Sequence, residues 1–147
     1  MTGTARTVLV PVDDSERSTE AVRYAVENHP DADIVALHVV DAVGAIHAAD
    51  PEVTAPGYWE QVFEAAEESA ERVLADAREV AAEMGVEIRT ERVNGRAARR
   101  IVEYAEDHAV DEIVLASHGR TGVSRVLLGS VAEQVVRRAP CPVTVVR

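Results

Sequence analysis

Val114-Leu-Ala-Ser-His-Gly-Arg-Thr-Gly-Val-Ser-Arg-Val-Leu-Leu-Gly-Ser130 runs from a strand through a loop to the start of a helix. An apolar strand pattern, Ile113 to Ala116, ends at Ser117-His118-Gly119. A loop punctuated by glycine and rich in hydroxyls follows. It closes at Gly129-Ser130, where Val131, Val135 and Val136 begin a helical pattern. Such units build parallel sheets covered by helices. The layout also carries chemistry. The first-turn N–H groups of a helix have no partner inside it, and the macrodipole favours negative charge there.

The same alternation extends in both directions. Thr7-Val-Leu-Val-Pro-Val12 is a nearly continuous apolar run, expected of a strand covered on both faces. Pro11 falls near its end, where a missing N–H is tolerated. Asp13-Asp14-Ser15 breaks the run, and Ser15 or Ser18 is placed to cap a helix whose inner face is Ala21, Val22, Ala25 and Val26. Asp33–Val40 reads as a second strand, with His38 a hydrogen-bonded core histidine. The connection from Asp41 to Tyr58 is longer than most, which suggests a functional or mobile segment. A helix from about Trp59 to Met84 follows. Its inner stripe is Val62, Ala66, Ala70, Val73, Ala77 and Val80, and Glu60, Glu64, Glu67, Glu68 and Glu71 form a solvated outer face. Glu68 and Arg72 stand at i,i+4 spacing for an ion pair. Gly85 suits a helix C-cap, and Val86–Val93 alternates like a half-exposed edge strand. Asn94-Gly95 turns into a helix over Ala97–His108, with Ile101, Val102 and Ala105 inward. Strand Glu112–Ser117, helix Gly129–Arg138 and strand Pro142–Val146 complete the chain. The expectation is an α/β three-layer sandwich, with a five-stranded parallel sheet and helices on both faces, forming one domain over 1–147. Ligands in such folds sit beyond the carboxyl ends of the strands, where the strand order reverses. Asp13 and the Ser117–Ser130 loop are expected to converge there.

Composition narrows the function. The chain has 147 residues, 26 acidic against 15 basic, and a net charge of −11. Every basic residue is arginine. The acidic surface argues against nucleic acid and fits a halophilic-type solubility strategy better than codon bias alone. No apolar run approaches a membrane span, and no signal-peptide pattern opens the chain, so a cytoplasmic protein is expected. Cys141, the only cysteine, reads as a small buried hydrophobe.

Two features point to a ligand. Gly119-x9-Gly129-Ser130 suits a phosphate held by backbone amides and a hydroxyl, although a turn glycine and an N-cap would look the same. A P-loop and a dinucleotide fingerprint are both absent. Asp13 can accept from ribose hydroxyls or an adenine amino group, or it can simply make the turn. Asp13-Asp14 also suggests a phosphoacceptor receiver domain. That reading fails, because there is no lysine and Arg92-Val93-Asn94 supplies no acceptor aspartate. His118 reads as a turn histidine rather than a base, and Arg120 as a cation placed for a polyphosphate. No catalytic residue and no metal-ligand spacing stand out.

These motifs together resemble the universal stress protein family over nearly the whole chain. The resemblance rests on Pro11-x-Asp13, Leu37–Val40, Ile101–Glu106, Val110-Asp111, Ser117–Gly122, Leu127–Val131 and Pro140–Val143. It implies strand order 3-2-1-4-5 and a homodimer, here through the edge strand Val143–Val146. The family's ATP-binding branch carries Gly-x2-Gly-x9-Gly-Ser/Thr. Gly119, Gly129 and Ser130 match it, while Ala116 replaces the first glycine. The resemblance implies that Pro11, Val12 and Asp13 border the nucleotide, with Asp13 facing ribose and adenine. Val39 and Leu115 would flank the base, and Ala116, His118 and Arg120 belong to the same site. Gly119, Gly129, Ser130 and Val131 would hold phosphates. The implied function is an ATP-binding stress-response module, with Mg²⁺ or Mn²⁺ as possible companions of ATP. The alternatives are a nucleotide-free interaction module or, at most, a slow ATP hydrolase.

Overall fold

The computed structural model describes residues 5–41, 56–117 and 129–147. Nine elements follow one another: β1 (Thr7–Pro11), α1 (Glu16–Asn28), β2 (Asp33–Val40), α2 (Tyr58–Glu83), β3 (Arg89–Asn94), α3 (Ala97–Asp107), β4 (Glu112–Ala116), α4 (Ser130–Arg138) and β5 (Val143–Val146). The strands form one parallel sheet in the order β3-β2-β1-β4-β5. Both the architecture and the order match the expectation.

The period-2 alternation of each strand divides the core between two faces. Val8, Val10, Ile34, Ala36 and Val114 lie under α1 and α2, where Ala21, Val22, Val73 and Ala77 meet them. Leu9, Val35, Leu37, Ile113 and Leu115 face α3 and α4, meeting Ile101, Tyr104 and Val135. Because both faces are covered, the inner strands read as unbroken apolar runs. Leu9, Leu37 and Ile113 are fully buried, and each stabilises the fold by roughly 1.5–3 kcal/mol relative to an exposed side chain.

Several local details differ from the sequence reading. Ser15 holds the N-cap position of α1 without a side-chain capping bond, and Ser18 is buried inside the first turn. Both hydroxyls turn to Asp13 instead. The buried stripe of α2 starts only at Ala70, leaving Val62 and Ala66 half-buried. Glu68 and Arg72 are both exposed, and no ion pair joins them. Tyr104 occupies the inward place on α3 assigned to Val102, which is half-buried. On α4 the inner residues are Ala132 and Val135, while Val131 and Val136 are exposed. The edge strand starts at Arg89 rather than Val86, because the Val86 N–H is taken up by the helix cap and pairing with β2 begins only at Arg89. The Gly85 cap agrees. Gly85 ends α2 with φ +76°, and Val86 N–H bonds the Ala81 carbonyl while Gly85 N–H bonds that of Ala82. Among the described residues no helix is long and apolar enough to cross a membrane.

Candidate functional site

The ladder between β1 and β4 pairs only Val8 with Glu112 and Leu9 with Ile113. Both strands run further. β1 stays paired with β2 to Pro11, and β4 stays paired with β5 to Ala116. The carboxyl ends of β1 and β4 are therefore joined to their outer neighbours and not to each other. This is the place where the strand order reverses, and the fold leaves a crevice there.

Asp13 stands just beyond β1 on one side of the opening. Its Oδ1 accepts the Ser15 N–H at 2.8 Å, the Ser15 hydroxyl, and the Ser18 hydroxyl at 2.8 Å. Ser18 Oγ in turn accepts the Asp13 N–H at 2.8 Å. The carboxylate is thus fixed by the turn it makes. Ser15 and Ser18, read from the sequence as caps, are its positioning residues; the D-x-S-x-x-S spacing is the only trace of this in the chain.

The start of α4 stands on the other side. Ser117, the residue after β4, accepts the Gly129 N–H through its carbonyl at 2.7 Å, which closes the base of the loop. The first intrahelical bond is from Glu133 N–H to the Gly129 carbonyl, so Ser130, Val131 and Ala132 keep N–H groups with no acceptor inside the helix. Gly129 has φ −63° and ψ 159°, a conformation open to any residue. Its lack of a side chain is therefore not demanded by the backbone. Ser130 and Val131 are exposed at the helix start.

The remaining candidates take distinct places. Leu115 is buried, and Val39 is half-buried against the same cluster, on the sheet face covered by α3 and α4. Ala116 is half-buried at the last position of β4. Pro11 is half-buried at the end of β1. Val12 is buried in the opposite core, under α1 and α2. Its N–H bonds the Leu37 carbonyl at 2.9 Å, and its own carbonyl meets His38 Nδ1 at 2.8 Å. Val12 therefore serves as a wall, with both backbone groups committed. His38 is half-buried at that carbonyl, hydrogen-bonded as expected but less enclosed than a core residue. His118, Gly119 and Arg120 lie outside the described residues. A small open pocket adjoins Asp13 on the α1–α2 side, lined by Val12, Ser18, Val73, Asp76 and Ala77 among others.

Cys141 is half-buried, and burial first, then the nearby Asp111 and Glu112 charges, push its thiol pKa up. It is therefore a poor nucleophile, as the sequence suggested. Among the described residues no group of three or more His, Cys, Asp or Glu is arranged to hold a metal ion.

The chain matches the universal stress protein family over residues 4–147. It is 39% identical over 142 residues to the universal stress protein MJ0531 of Methanocaldococcus jannaschii, covering 95% of this chain and 81% of that protein. The chain belongs to the universal stress protein family. Among solved structures, the universal stress protein UspA from Lactobacillus plantarum superposes with a TM-score of 0.79 at 30% identity, covering 99% of this chain and 100% of that one. Three universal stress proteins of the same fold, at 19–22% identity and TM-scores of 0.67–0.69, are complexes with cAMP, with AMP (from Arabidopsis thaliana) and with dAMP (from Archaeoglobus fulgidus). They cover 96–99% of this chain, which covers 90–99% of theirs.

Proposed function

We propose that this universal stress protein is a cytoplasmic, ATP-binding stress-response module with little or no turnover. The observation that carries the proposal is the pair of fixed elements flanking the crevice: the Asp13 carboxylate and the free N–H groups at the start of α4. A nucleotide needs both kinds of partner. Asp13 would accept a ribose hydroxyl or the adenine amino group on Oδ2, since Oδ1 already takes three donors. Val39 and Leu115 would contact the base. Gly129, Ser130 and Val131, with Gly119 and Arg120 of the preceding loop, would hold phosphates. Gly129 fits this role, because its backbone conformation gives no other reason for a glycine. Bound ATP, with Mg²⁺ or Mn²⁺ as companion, would supply a nucleotide-dependent state of the surface rather than a reaction. The relatives solved with cAMP, AMP and dAMP support the fold's capacity for adenine nucleotides.

Calorimetric titration with ATP and Mg²⁺ at high salt tests this. The expected affinity is micromolar, about −8 kcal/mol. Gly129→Val should abolish binding with the fold intact, and Ser130→Ala should weaken it by about 1 kcal/mol. No heat at millimolar ATP would overturn the proposal.

A second reading is a nucleotide-free interaction module. Two observations favour it: the committed Oδ1 of Asp13, and Ala116 in place of the first motif glycine. Native mass spectrometry of the purified protein separates the two readings, since retained nucleotide mass supports only the first. In either case we read β5 as the interface between two copies of the chain.

A further inference from the structure

The apolar stripe of α2 is continuous, but the core covers only part of it. Trp59, Val62, Phe63, Ala66, Ala70, Val73 and Ala77 recur at helical spacing on one side. From Ala70 onward the stripe is buried against α1, β2 and β3. Before Ala70 it is only partly covered among the described residues: Val62 and Ala66 are half-buried, and Trp59 and Phe63 are exposed. Trp59 is 38% exposed and Phe63 is 43% exposed. They are the chain's only tryptophan and only phenylalanine. The partly covered part, residues 58–69, spans about 18 Å at 1.5 Å per residue. Because α2 follows β2 in a parallel sheet, this part lies at the carboxyl end, the same end as Asp13.

The charges around the stripe select its partner. Glu60, Glu64, Glu67 and Glu71 sit one position after Trp59, Phe63, Ala66 and Ala70, so an acidic stripe runs beside the apolar one. All four glutamates are exposed, and none makes an ion pair among the described residues. No arginine or lysine occurs between Arg23 and Arg72, so nothing on this stretch neutralises them. A second copy laid on the stripe would oppose glutamate with glutamate, which charge repulsion disfavours. An anionic membrane would meet the same repulsion.

We propose that residues 58–69 of α2 form a docking surface for a basic, amphipathic helical segment of another protein. Its apolar face would cover Trp59 and Phe63, and its lysines or arginines would meet Glu60, Glu64 and Glu67. Helix-on-helix docking of this kind reads apolar anchors at i and i+4 and takes its specificity from the flanking charges. The proposal is independent of nucleotide binding.

Trp59, as the sole tryptophan, reports directly on the surface. The probe is an 18-residue peptide of leucine and lysine patterned at helical period, compared with a scrambled peptide of the same composition. The patterned peptide should shift Trp59 emission to the blue and saturate at one peptide per chain, and the scrambled one should not. Phe63→Ser should weaken binding at least tenfold while leaving the circular dichroism spectrum unchanged, because Phe63 lies outside the core. Glu64→Gln with Glu67→Gln should weaken binding and flatten its salt dependence. No shift with the patterned peptide, or an equal response to the scrambled one, overturns the proposal. An emission maximum that moves to the blue as protein concentration rises also overturns it, because a second copy then covers the stripe.

Discussion

Ser18 holds Asp13 by two bonds through a single hydroxyl. Its oxygen accepts the Asp13 N–H and donates to Asp13 Oδ1, while the side chain is 6% exposed. Ser18→Ala removes both bonds and leaves a donor without its acceptor, which costs about 1–3 kcal/mol. Ser15→Ala removes only the hydroxyl bond, since the Ser15 N–H still reaches Oδ1. It should cost about 0.5–1.5 kcal/mol. Urea denaturation of the two variants checks the order; equal losses would mean that Ser18 is not what holds the turn. Asp13 itself was legible as a candidate from its place after an apolar strand. Its anchoring was not, because serine at a helix start reads equally well as a cap. Capping and side-chain bonding use the same donors and acceptors, and only geometry shows which wins. Val12 was hidden in a similar way. Its place after β1 made it a candidate for the site, but the side chain's direction into the opposite core depends on the strand's period.

At the scale of elements, β1, β2 and β4 were read to within a residue, because two-sided burial writes an unbroken apolar string. The ends and halves of elements were less legible. Nothing in the periodicity of α2 distinguishes Val62 from Val73, since burial stops where the sheet stops. The β3–α3 turn presents the opposite case, a glycine whose necessity is structural. Gly95 has φ +139°, and a Cβ there would lie 2.7 Å from Arg100 Cγ and 2.9 Å from Cδ. Gly95 N–H also bonds the Val40 carbonyl at 2.9 Å, tying the turn to the end of β2. Arg100 is not free to swing away without loss, because its Nη1 holds Glu103 at 2.6 Å. Gly95→Ala should therefore cost about 1–3 kcal/mol from backbone strain alone. Gly57, at φ +81° with nothing near its missing Cβ, serves as the comparison and should lose less. Denaturation midpoints test this, with Arg100→Ala added to Gly95→Ala. Partial recovery in the double variant isolates the clash; no recovery assigns the whole loss to φ.

The two edges of the sheet are built differently, and this bears on the assembly of the whole molecule. β3 carries Arg89, Glu91 and Arg92, charges that discourage another strand from pairing. β5 is Val143-Thr-Val-Val146, with no charge and no proline inside it. Its inner hydrogen bonds are set: Ile113 N–H meets the Pro142 carbonyl and Ser117 N–H meets that of Val146. In a parallel ladder alternate residues face opposite sides, so Val143 and Val145 turn their N–H and C=O groups to the open edge. The family resemblance implied pairing of two copies here, and the contrast between the edges supplies a physical reason for it. A two-fold axis beside β5 would pair the bare groups and cover the valines at once. Val145→Pro removes an outward N–H and leaves the β4 ladder intact, whereas Thr144→Pro removes one that faces β4. Sedimentation equilibrium should find the parent chain dimeric and Val145→Pro monomeric, with the helical signal of the variant retained. Thr144→Pro should instead lower the stability of the fold itself. If the parent chain sediments as a monomer, or if Val145→Pro remains a dimer, the interface is not β5, and the uncharged edge needs another explanation.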